Sequence, residues 1–396
     1  MRGRKKLVAL AAVSALALAA CSSSKSGSDD SSGGSGAIKV AVLCSCSGPF
    51  GQFVIALRHV ADSWAKSVNA SGGINGHQVK LLNYDDAGDA GKAVTQAQDA
   101  ISAHADVVLD ASPLDAAWAK TVDAAKIPVV GGELNSKLYS TDTNFYPSGQ
   151  TPDSISESLV ATAKAAGAKT IGALYCTEAP SCLDLVAPFK SIGDQLGVPN
   201  VYKASISATA PNYTAQCVAA KNAGVSALAI ADVSAAIVKV GGDCDRQGFD
   251  PIYVTAGTGF AMSMAKAAGV GKNLWSAYPT LPFFSDAPIV KTMQQTVEKY
   301  HPGLQAKDDA WSQVAVQAWT GGLLIEAAVK AGGSGDVSAA TITSGLNSLK
   351  NETLGGWSPP LSFTAGQPHV VNCWFTAQVE NGTPTVTNGG KTTCGS

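Results

Sequence analysis

Short apolar, β-branched runs alternate with amphipathic helical stretches along most of this 396-residue chain, and they do so in two successive sets. Such alternation is typical of α/β architecture, in which each strand pairs in parallel with another after a helical crossover. The first set opens with a strand predicted at 38–43, and the second opens with a helix predicted at 154–166. Two sets favour two doubly wound, Rossmann-like lobes over one large sheet.

The remaining elements follow from the same periodicities. Further strands are predicted at 79–84, 107–109, 129–131, 170–174, 201–204, 227–231 and 252–255. Helices are predicted around the apolar face of 57–68, at 90–103, between 109 and 129, and at 183–196, 287–300, 308–331 and 339–348. The last elements predicted are the two strands of a hairpin, at 371–378 and 383–386.

The first 20 residues indicate an export signal. A basic start (residues 1–6) precedes an apolar run (7–17) that is shorter than the roughly 20 residues needed to span a bilayer. The segment that follows, Leu-Ala-Ala-Cys ending at Cys21, resembles a bacterial lipobox, in which the cysteine is acylated and becomes the first mature residue. The alternative is an ordinary signal in which this cysteine is incidental.

Residues 21–36 are predicted to be a flexible tether. After Cys21 this segment contains only Ser, Gly, Lys and Asp, which cannot pack a core, and a random coil of this length spans about 20 Å. No later segment has the pattern of a transmembrane helix, since the stretch 310–325 contains two Gln and two Gly residues. We therefore expect a protein outside the cytoplasmic membrane that is attached to it by lipid.

The charge balance argues against a nucleic-acid partner. The chain has 28 basic and 30 acidic side chains, and four of the basic ones lie within the first 20 residues. The remainder of the chain is mildly acidic and offers no broad attraction for phosphate backbones.

Nine cysteines suit an oxidising compartment. Setting Cys21 aside leaves an even number, and pairing near neighbours predicts three disulfides, Cys176–Cys182, Cys217–Cys244 and Cys373–Cys394. The remaining two, Cys44 and Cys46, are separated by one residue, so a bond between them would be strained. A metal site is the weaker alternative, because the chain has no Cys-x-x-Cys pair and its five histidines show no ligand spacing.

The usual catalytic patterns are missing. The chain contains no Gly-x-Ser-x-Gly elbow, and the Gly-Gly-Lys-Thr stretch at 389–392 has Thr385 where a phosphate loop needs its first glycine. Asp85 and Asp86 are adjacent carboxylates, but neighbours at a strand end point to opposite faces, which favours turn or cap roles over acid–base chemistry. We therefore expect no enzymatic activity, no cofactor and no metal.

Three blocks of sequence carry a resemblance to a known family. They are Ile38–Leu43 with the following Ser47–Phe50, then Asn69–Gly76, then Tyr84–Asp89. In this order and spacing they resemble the leucine/isoleucine/valine-binding proteins of ABC importers. The resemblance extends from about residue 38 to the C-terminal hairpin, and beyond residue 149 it depends on layout more than on motifs.

The resemblance implies a type I periplasmic binding protein, with two lobes that close on a small ligand. Three crossings between the lobes are expected near 149–153, 278–284 and 363–368. The first lobe would contain residues 37–149 and 281–363, and the second lobe residues 150–280 and 364–396.

The implied function is that of an extracytoplasmic solute-binding lipoprotein. It would bind a small polar or amphipathic solute, act as a monomer and deliver the solute to the permease subunits of an ABC importer. One alternative is a ligand-sensing module for a membrane receptor partner, although no transmembrane output segment is evident. Another is an enzyme that has kept the two-lobed shape, although no titratable cleft residue stands out.

In the family, the loop after the first strand supplies an aromatic wall to the ligand site. This implies a role for Phe53, with Phe50 nearby, unless both rings simply pack the lobe. The loop after the third strand presents a hydroxyl group to the ligand carboxylate, which implies Ser112. The alternative role of Ser112 is to cap a helix.

The loop after the fourth strand also contacts the ligand in the family. Here it implies Glu133, Leu134 and Asn135, with Asn135 in the position of a family hydroxyl group. An asparagine side chain can still donate a hydrogen bond there.

The second lobe departs from the family pattern. The amino-acid binders hold the ligand ammonium group with an acidic residue after the strand predicted at 252–255, where this chain has Gly257 and its small neighbours. Asp232 could supply the charge from a neighbouring loop, or it could cap the following helix. Tyr175 lies at another strand end on the same side. Because an unpaired buried ammonium is costly, another small organic acid, an amide or an aromatic compound is as well supported as a branched-chain amino acid.

Overall fold

Two sheets of mainly parallel strands organise the chain in the computed structural model. The structure describes residues 36–48, 51–132, 134–307, 310–333 and 335–395, without the side chains of Gln52, Phe53 and Pro180. The predictions for the signal, for Cys21 and nearly all of the tether, and for Phe50 and Glu133 lie outside the described residues, as does the prediction for the Phe53 side chain.

The first sheet contains five strands among the described residues, all parallel, in the order β2-β1-β3-β4-β5. Their bounds are β1 Ile38–Cys44, β2 Val79–Asp85, β3 Val107–Ala111, β4 Val129–Val130 and β5 Phe145–Tyr146. Every residue of β3 is buried, as expected for a central strand that is covered on both faces.

The second sheet has the order β12-β11-β10-β9-β8-β6-β7, with β13 paired to β11. The bounds are β6 Ile171–Cys176, β7 Asn200–Ile206, β8 Ala227–Ala231, β9 Ile252–Ala256, β10 Asn273–Tyr278, β11 Cys373–Glu380, β12 Thr383–Val386 and β13 Thr393–Cys394. The strands β6 to β10 pair in parallel, whereas β11 is antiparallel to β10, β12 and β13. The two sheets confirm the predicted α/β architecture.

The helices between these strands have the bounds α1 Gly51–Ala70, α2 Ala90–Ser102, α3 Asp115–Ala124, α4 Leu138–Thr141, α5 Ile155–Ala165, α6 Pro180–Val186, α7 Phe189–Leu196, α8 Thr214–Asn222, α9 Ser234–Arg246, α10 Met262–Ala265, α11 Pro288–Tyr300, α12 Gln313–Gly332 and α13 Ala339–Ser348. Most predicted elements agree with these bounds to within a few residues.

Two helix predictions are wrong in detail. The single helix predicted at 183–196 is two helices, α6 and α7, with Pro188 between them. A proline lacks an N–H group and clashes with the preceding turn, so the helix breaks there. The helix predicted from residue 308 begins instead at Gln313, because Ser312 has an extended backbone with φ −143° and ψ 179°.

The chain passes between the two sheets three times. It leaves the first sheet after β5, returns after β10 to place α11 and α12 against α1, and rejoins the second sheet at β11. Gly322 of α12 faces the ring of Trp64 in α1 so closely that a Cβ atom would overlap the indole. Glycine at this position therefore allows α12 to pack on the first sheet although it follows the second sheet in sequence.

The three connecting segments lie side by side and are joined by hydrogen bonds. The backbone N–H of Gln150 in the first segment donates to the carbonyl of Pro279 in the second at 3.0 Å. The backbone N–H of Thr151 donates to the carbonyl of Val371 in the third at 3.1 Å, and the N–H of Val371 donates to Oγ1 of Thr151 at 3.1 Å. These bonds form a narrow junction about which two sheet-based lobes can rotate.

Four disulfides are present among the described residues: Cys44–Cys46, Cys176–Cys182, Cys217–Cys244 and Cys373–Cys394. Three are the near-neighbour pairs that the sequence favours. The fourth joins the pair for which the spacing predicts strain, and its Cα atoms lie 5.1 Å apart, within the usual range for a disulfide.

Candidate functional site

The carboxyl ends of the parallel strands in both sheets contribute residues to one pocket. Its described lining comes from the loop after β4, the first two connecting segments, the start of α5, and the ends of β9 and β10. The lining residues are Leu134, Asn135, Gln150, Ile155, Ala256, Gly257, Thr258, Ala277 and Pro279. Ligands of open α/β sheets bind beyond such strand ends, which makes this pocket the candidate site.

The pocket is narrow in this structure. Its cavity volume is only about 10 Å³. That is about the room a single water molecule needs. A solute of several heavy atoms can therefore enter only if the two lobes separate.

An ion pair joins the lobes beside this pocket. Nζ of Lys137, in the loop after β4, lies 3.4 Å from Oδ2 of Asp184 in α6. Both side chains are more than half exposed, so solvent and salt screen the attraction, and such pairs contribute about 0–1 kcal/mol. The pair marks the closed position of the lobes but holds them together only weakly.

A larger groove of about 770 Å³ lies elsewhere, at the edge of the first sheet. Its described lining comes from the ends of α3 and α4, from β5, from α13 and from residues 365–366. The groove receives no side chain from β6 to β10 or from the loops that follow them. Closure of one lobe on the other would therefore not enclose a ligand there, and we prefer the smaller pocket as the site.

The loop after β4 is held in place from behind by α12. The backbone N–H of Leu134 donates to Oε1 of Gln317 at 3.5 Å, and both residues are buried. Gly132 packs so closely on the carbonyl of Asp110 that no side chain fits there. This packing places buried Leu134 and exposed Asn135 at the pocket wall.

Ser112 lies in a buried network within the first lobe. Its Oγ donates to Oδ2 of Asp86 at 2.6 Å, and Oγ of Ser45 donates to Oδ1 of the same carboxylate at 2.6 Å. The backbone N–H of Leu114 donates to Oγ of Ser112 at 3.2 Å, but the N-cap residue of α3 is Leu114, without a side-chain cap, so the alternative of Ser112 as a helix cap is wrong. The side chain is fully buried, and contact with a ligand stays a prediction.

The paired carboxylates Asp85 and Asp86 hold the turn after β2. Oδ1 of Asp85 accepts from the N–H of Ala87 at 3.1 Å, and Oδ1 of Asp86 accepts from the N–H of Gly88 at 2.7 Å. Ala87 has a positive φ of 53°, which these bonds help to hold. The turn role expected from the sequence is confirmed.

On the second lobe, Gly257 lies at the pocket wall against Tyr278. A Cβ atom at Gly257 would overlap the Tyr278 ring, so the end of β9 approaches the second connecting segment as backbone alone. The described residues after β9 therefore present small side chains and backbone to the pocket.

Asp232 lies beyond the end of β8 with one carboxylate oxygen unpaired. Its Oδ1 accepts from the N–H of Val233 at 2.7 Å, while buried Oδ2 has no hydrogen-bond partner among the described residues. Burial, and secondarily the charge of Glu178, raise the pKa of the Asp232 carboxyl. The N-cap residue of α9 is Val233, without a side-chain cap, so the predicted alternative of a capping aspartate is wrong in detail.

Tyr175 is partly buried near the end of β6, in register with Ala231. Nearby, Oε1 of Glu178 accepts from Oγ of Ser207 at 2.7 Å and from the N–H of Ala208 at 2.9 Å. The hydrogen bond from Ser207 lowers the pKa of the exposed Glu178 carboxyl. Among the described residues that line the pocket, neither Tyr175, Glu178 nor Asp232 appears, so these three lie outside its narrow closed form.

The sequence did not single out Gln150, Ile155, Ala277 and Pro279, although all four line the pocket. All four lie at or beside the predicted crossings. Because chain segments that join two lobes border the cleft between them, this position in the sequence could have indicated a role in the pocket. Gln150 is the most informative of the four, because it is polar but only 2% exposed.

Within the described ranges, we find no cluster of three or more His, Cys, Asp or Glu side chains arranged to hold a metal ion. The helices of the same ranges include none that is long and apolar enough to cross a membrane.

Comparison with solved structures shows the same fold in several binding proteins. A fatty acid ABC transporter substrate-binding protein from Thermomonospora curvata has 16% identity and a TM-score of 0.67, with 89% of this chain and 91% of that chain covered. A solute-binding protein of an ABC transporter from R. palustris, in complex with benzoate, has 16% identity and a TM-score of 0.67, with 89% and 95% covered. A leucine-binding protein from Thermotoga maritima has 15% identity and a TM-score of 0.67, with 88% and 97% covered. At these identities the likeness establishes the fold alone.

No curated protein matches the sequence. The family model described as periplasmic binding protein matches residues 37–384, which is most of the chain. Together with the two parallel sheets, the three connecting segments and the pocket at the strand ends, this match shows that the chain belongs to the periplasmic binding protein family, with the type I fold.

Proposed function

We propose that this protein is the extracytoplasmic solute-binding component of an ABC importer. Its two lobes close on a small polar or amphipathic solute, which it delivers to the permease subunits without catalysing a reaction. The observation that carries the proposal is the pocket at the carboxyl ends of the strands, because both sheets contribute to its wall. A pocket divided in this way exists only when the lobes are closed.

The junction between the lobes supports this mechanism. Its hydrogen bonds join backbone groups of Gln150, Thr151, Pro279 and Val371, and a junction of a few connecting segments is the usual place for rotation of one lobe against another. The closed pocket has room for about one water molecule, so solute exchange requires opening. Closure then removes the solute from water, which strengthens its polar contacts.

The solute class is a small molecule with an apolar part. The relatives named above bind a fatty acid, benzoate or leucine according to their descriptions, so the fold accommodates quite different solutes. The candidate contacts on this chain are the predicted Phe50, Phe53, Ser112, Glu133, Leu134, Asn135, Tyr175, Asp232 and Gly257. A branched-chain amino acid, another small organic acid, an amide or an aromatic compound are the candidates to test.

The anchor is the second part of the proposal. Acylation at Cys21 would hold a monomer close to its permease, and the lipobox-like segment supports it. Mass spectrometry of the membrane fraction tests this directly. A diacylglyceryl mass on the peptide that begins at Cys21, and loss of the protein from membranes in Cys21→Ser, are the expected results. An unmodified, cytosolic chain would contradict this part.

Thermal unfolding with a panel of solutes tests binding. At a concentration of 100 times Kd, a true ligand should add about 2.7 kcal/mol to the free energy of unfolding. Asn135→Ala should weaken binding, because Asn135 lies at the pocket wall. The matched control is Asn222→Ala, at an exposed position in α8, and it should bind as the wild type does. Equal affinity in both variants would contradict the site, and the absence of any stabilising solute would contradict the function.

A further inference from the structure

Gln150 joins the hinge to the pocket. Its backbone N–H donates to the carbonyl of Pro279 across the first two connecting segments, and the residue belongs to the pocket lining. The residue is 2% exposed, and its Nε2 has no hydrogen-bond partner among the described residues. A residue of the pocket wall therefore has a buried amide donor without a partner among the described residues.

Such a donor is unusual in a folded protein. Buried polar groups nearly always have a partner, which is either another protein group or an ordered water molecule, because leaving one unpaired costs most of its solvation. The pocket has space for about one water molecule, which could serve Nε2 only while no solute is bound. In the loaded protein, an acceptor oxygen of the solute at the pocket wall would supply the partner that Nε2 lacks.

The rest of the described lining limits what that solute can be. Leu134, Ile155, Ala277 and Pro279 are apolar, and none of the described lining residues carries a charge. An ammonium group has only hydrogen-bond donors, so it could not pair with the Nε2 donor, and among the described lining residues it would be buried without a counter-charge. An acceptor oxygen on an apolar body matches both the donor and the apolar wall.

We propose that Gln150 is the specificity-determining residue of the pocket, that its Nε2 donates a hydrogen bond to an acceptor oxygen of the solute, and that the solute is a small apolar carboxylic acid or amide without an ammonium group. This inference rests on the proposed function and names the solute class for the same site. Because Gln150 is also a hinge residue, the solute oxygen is held by the junction about which the lobes rotate.

Four compounds that share an isobutyl group test the class by calorimetry on the full exported protein. They are 4-methylpentanoate and 4-methylpentanamide, which have an acceptor oxygen and no ammonium group, isopentylamine, which has only the ammonium group, and leucine, which has both charged groups. The acid, the amide or both should bind, leucine should bind at least tenfold more weakly than the better of them, and isopentylamine should not bind. Comparison of the acid with the amide shows whether the acceptor is charged.

Gln150→Leu tests the residue. Removing a hydrogen bond from the complex should weaken binding of the acid or amide roughly tenfold. The variant should unfold at the same or a higher temperature than the wild type, because an unpaired buried donor has been replaced by an apolar side chain of similar shape. If Gln150 only supported the fold, Gln150→Leu would unfold at a lower temperature than the wild type, and its affinity for the solute would be unchanged. Gln195→Leu, at an exposed position in α7, is the matched control and should change neither quantity.

The outcomes separate the inference from the function on which it rests. Binding of leucine or isopentylamine in preference to the acid and amide, or undiminished affinity in Gln150→Leu, would overturn the inference and leave solute binding intact. If no compound of this set or of the wider panel bound to the wild type, both the inference and the proposed function would fail. If Gln150→Leu did not fold, Gln150→Met would replace it under the same criteria.

Discussion

At the scale of single residues, Gly257 shows how the pocket wall depends on the absence of a side chain. The Cβ atom of any other residue would overlap the buried ring of Tyr278, and the two positions belong to neighbouring strand ends of the second sheet. The addition of one methyl group at Gly257 should therefore displace the pocket wall.

Gly257→Ala should lower the free energy of unfolding by about 1–3 kcal/mol, because a well-packed site must shift to accept the extra methyl group. Urea denaturation measures the change. Gly335→Ala is the control, since a Cβ atom at Gly335 would meet nothing within 4 Å. Equal stability of the Gly257 variant and the wild type would show that the wall is looser than described.

A second single residue, His369, makes stability depend on pH. It is 3% exposed in the third connecting segment, where its ring stacks on Tyr146 at 4.5 Å and meets Phe363 edge-on at 5.0 Å. Burial lowers the pKa of His369 from 6.5 to about 4. The unfolded chain therefore binds a proton at mildly acid pH that the folded chain does not.

The contribution of neutral His369 should be complete above about pH 6.5 and lost as the pH falls towards 4. Between pH 7.5 and pH 4.5, His369 should therefore lower the free energy of unfolding by about 2–3 kcal/mol. Chemical denaturation of the wild type and of His369→Phe at both pH values isolates the contribution of His369 to the free energy of unfolding. The phenylalanine variant should lose less stability on acidification, and an identical loss in both proteins would contradict the assignment.

The site could be predicted in outline but not in all its residues. Motif order and strand ends led to the loop containing Leu134 and Asn135 and to Gly257, and these line the pocket. The same reasoning implied Ser112 as a ligand contact, which stays a prediction, but it did not foresee the hydrogen bond from Ser112 to Asp86. No local signal shows that residues 26 positions apart meet inside one lobe, because this contact depends on the pairing of β2 and β3 with β1.

At the scale of elements, the buried carboxylate of Asp86 joins three strand ends of the first sheet. It accepts hydrogen bonds from Ser45 after β1, from Ser112 after β3 and from Gly88 in the turn after β2. Asp86 is 1% exposed, so its bonds to protein groups replace those to water. The loops at this edge are therefore fixed relative to one another.

Asp86→Ala should lower the free energy of unfolding by about 2–4 kcal/mol, since it leaves two buried hydroxyls and one N–H group without their acceptor. Asp336→Ala, at an exposed position, should change it by less than about 0.5 kcal/mol. Denaturation curves of the two variants and the wild type provide the comparison. A loss no larger than that of the control would mean that water replaces the carboxylate.

Strands were the most predictable elements, and helix ends were the least. Strands buried on both faces appear in the sequence as continuous apolar runs, and the strand predicted at 227–231 agrees with β8 at both ends. Pro188 favours a helix break, but the apolar periodicity on either side of it led to the prediction of a single helix. The strands β5, β10 and β13 were missed. The strands β5 and β13 span only two residues each, and in β10 the polar residues Asn273 and Ser276 interrupt the apolar run.

At the scale of the whole molecule, the proposed function requires rotation about three connecting segments. The ion pair between Lys137 and Asp184 is exposed and weak, so the empty lobes should separate readily. The solute adds the contacts that favour the closed form, and it can shift the equilibrium only by the difference between its affinities for the closed and open forms.

Small-angle X-ray scattering, with and without the solute that gives the largest thermal shift, tests this account most directly. The ligand-free protein should be more extended than the closed structure, and saturation with solute should lower the radius of gyration to the value of the closed form. An unchanged scattering curve, in the presence of a solute whose binding calorimetry has demonstrated, would contradict closure of two lobes on a ligand.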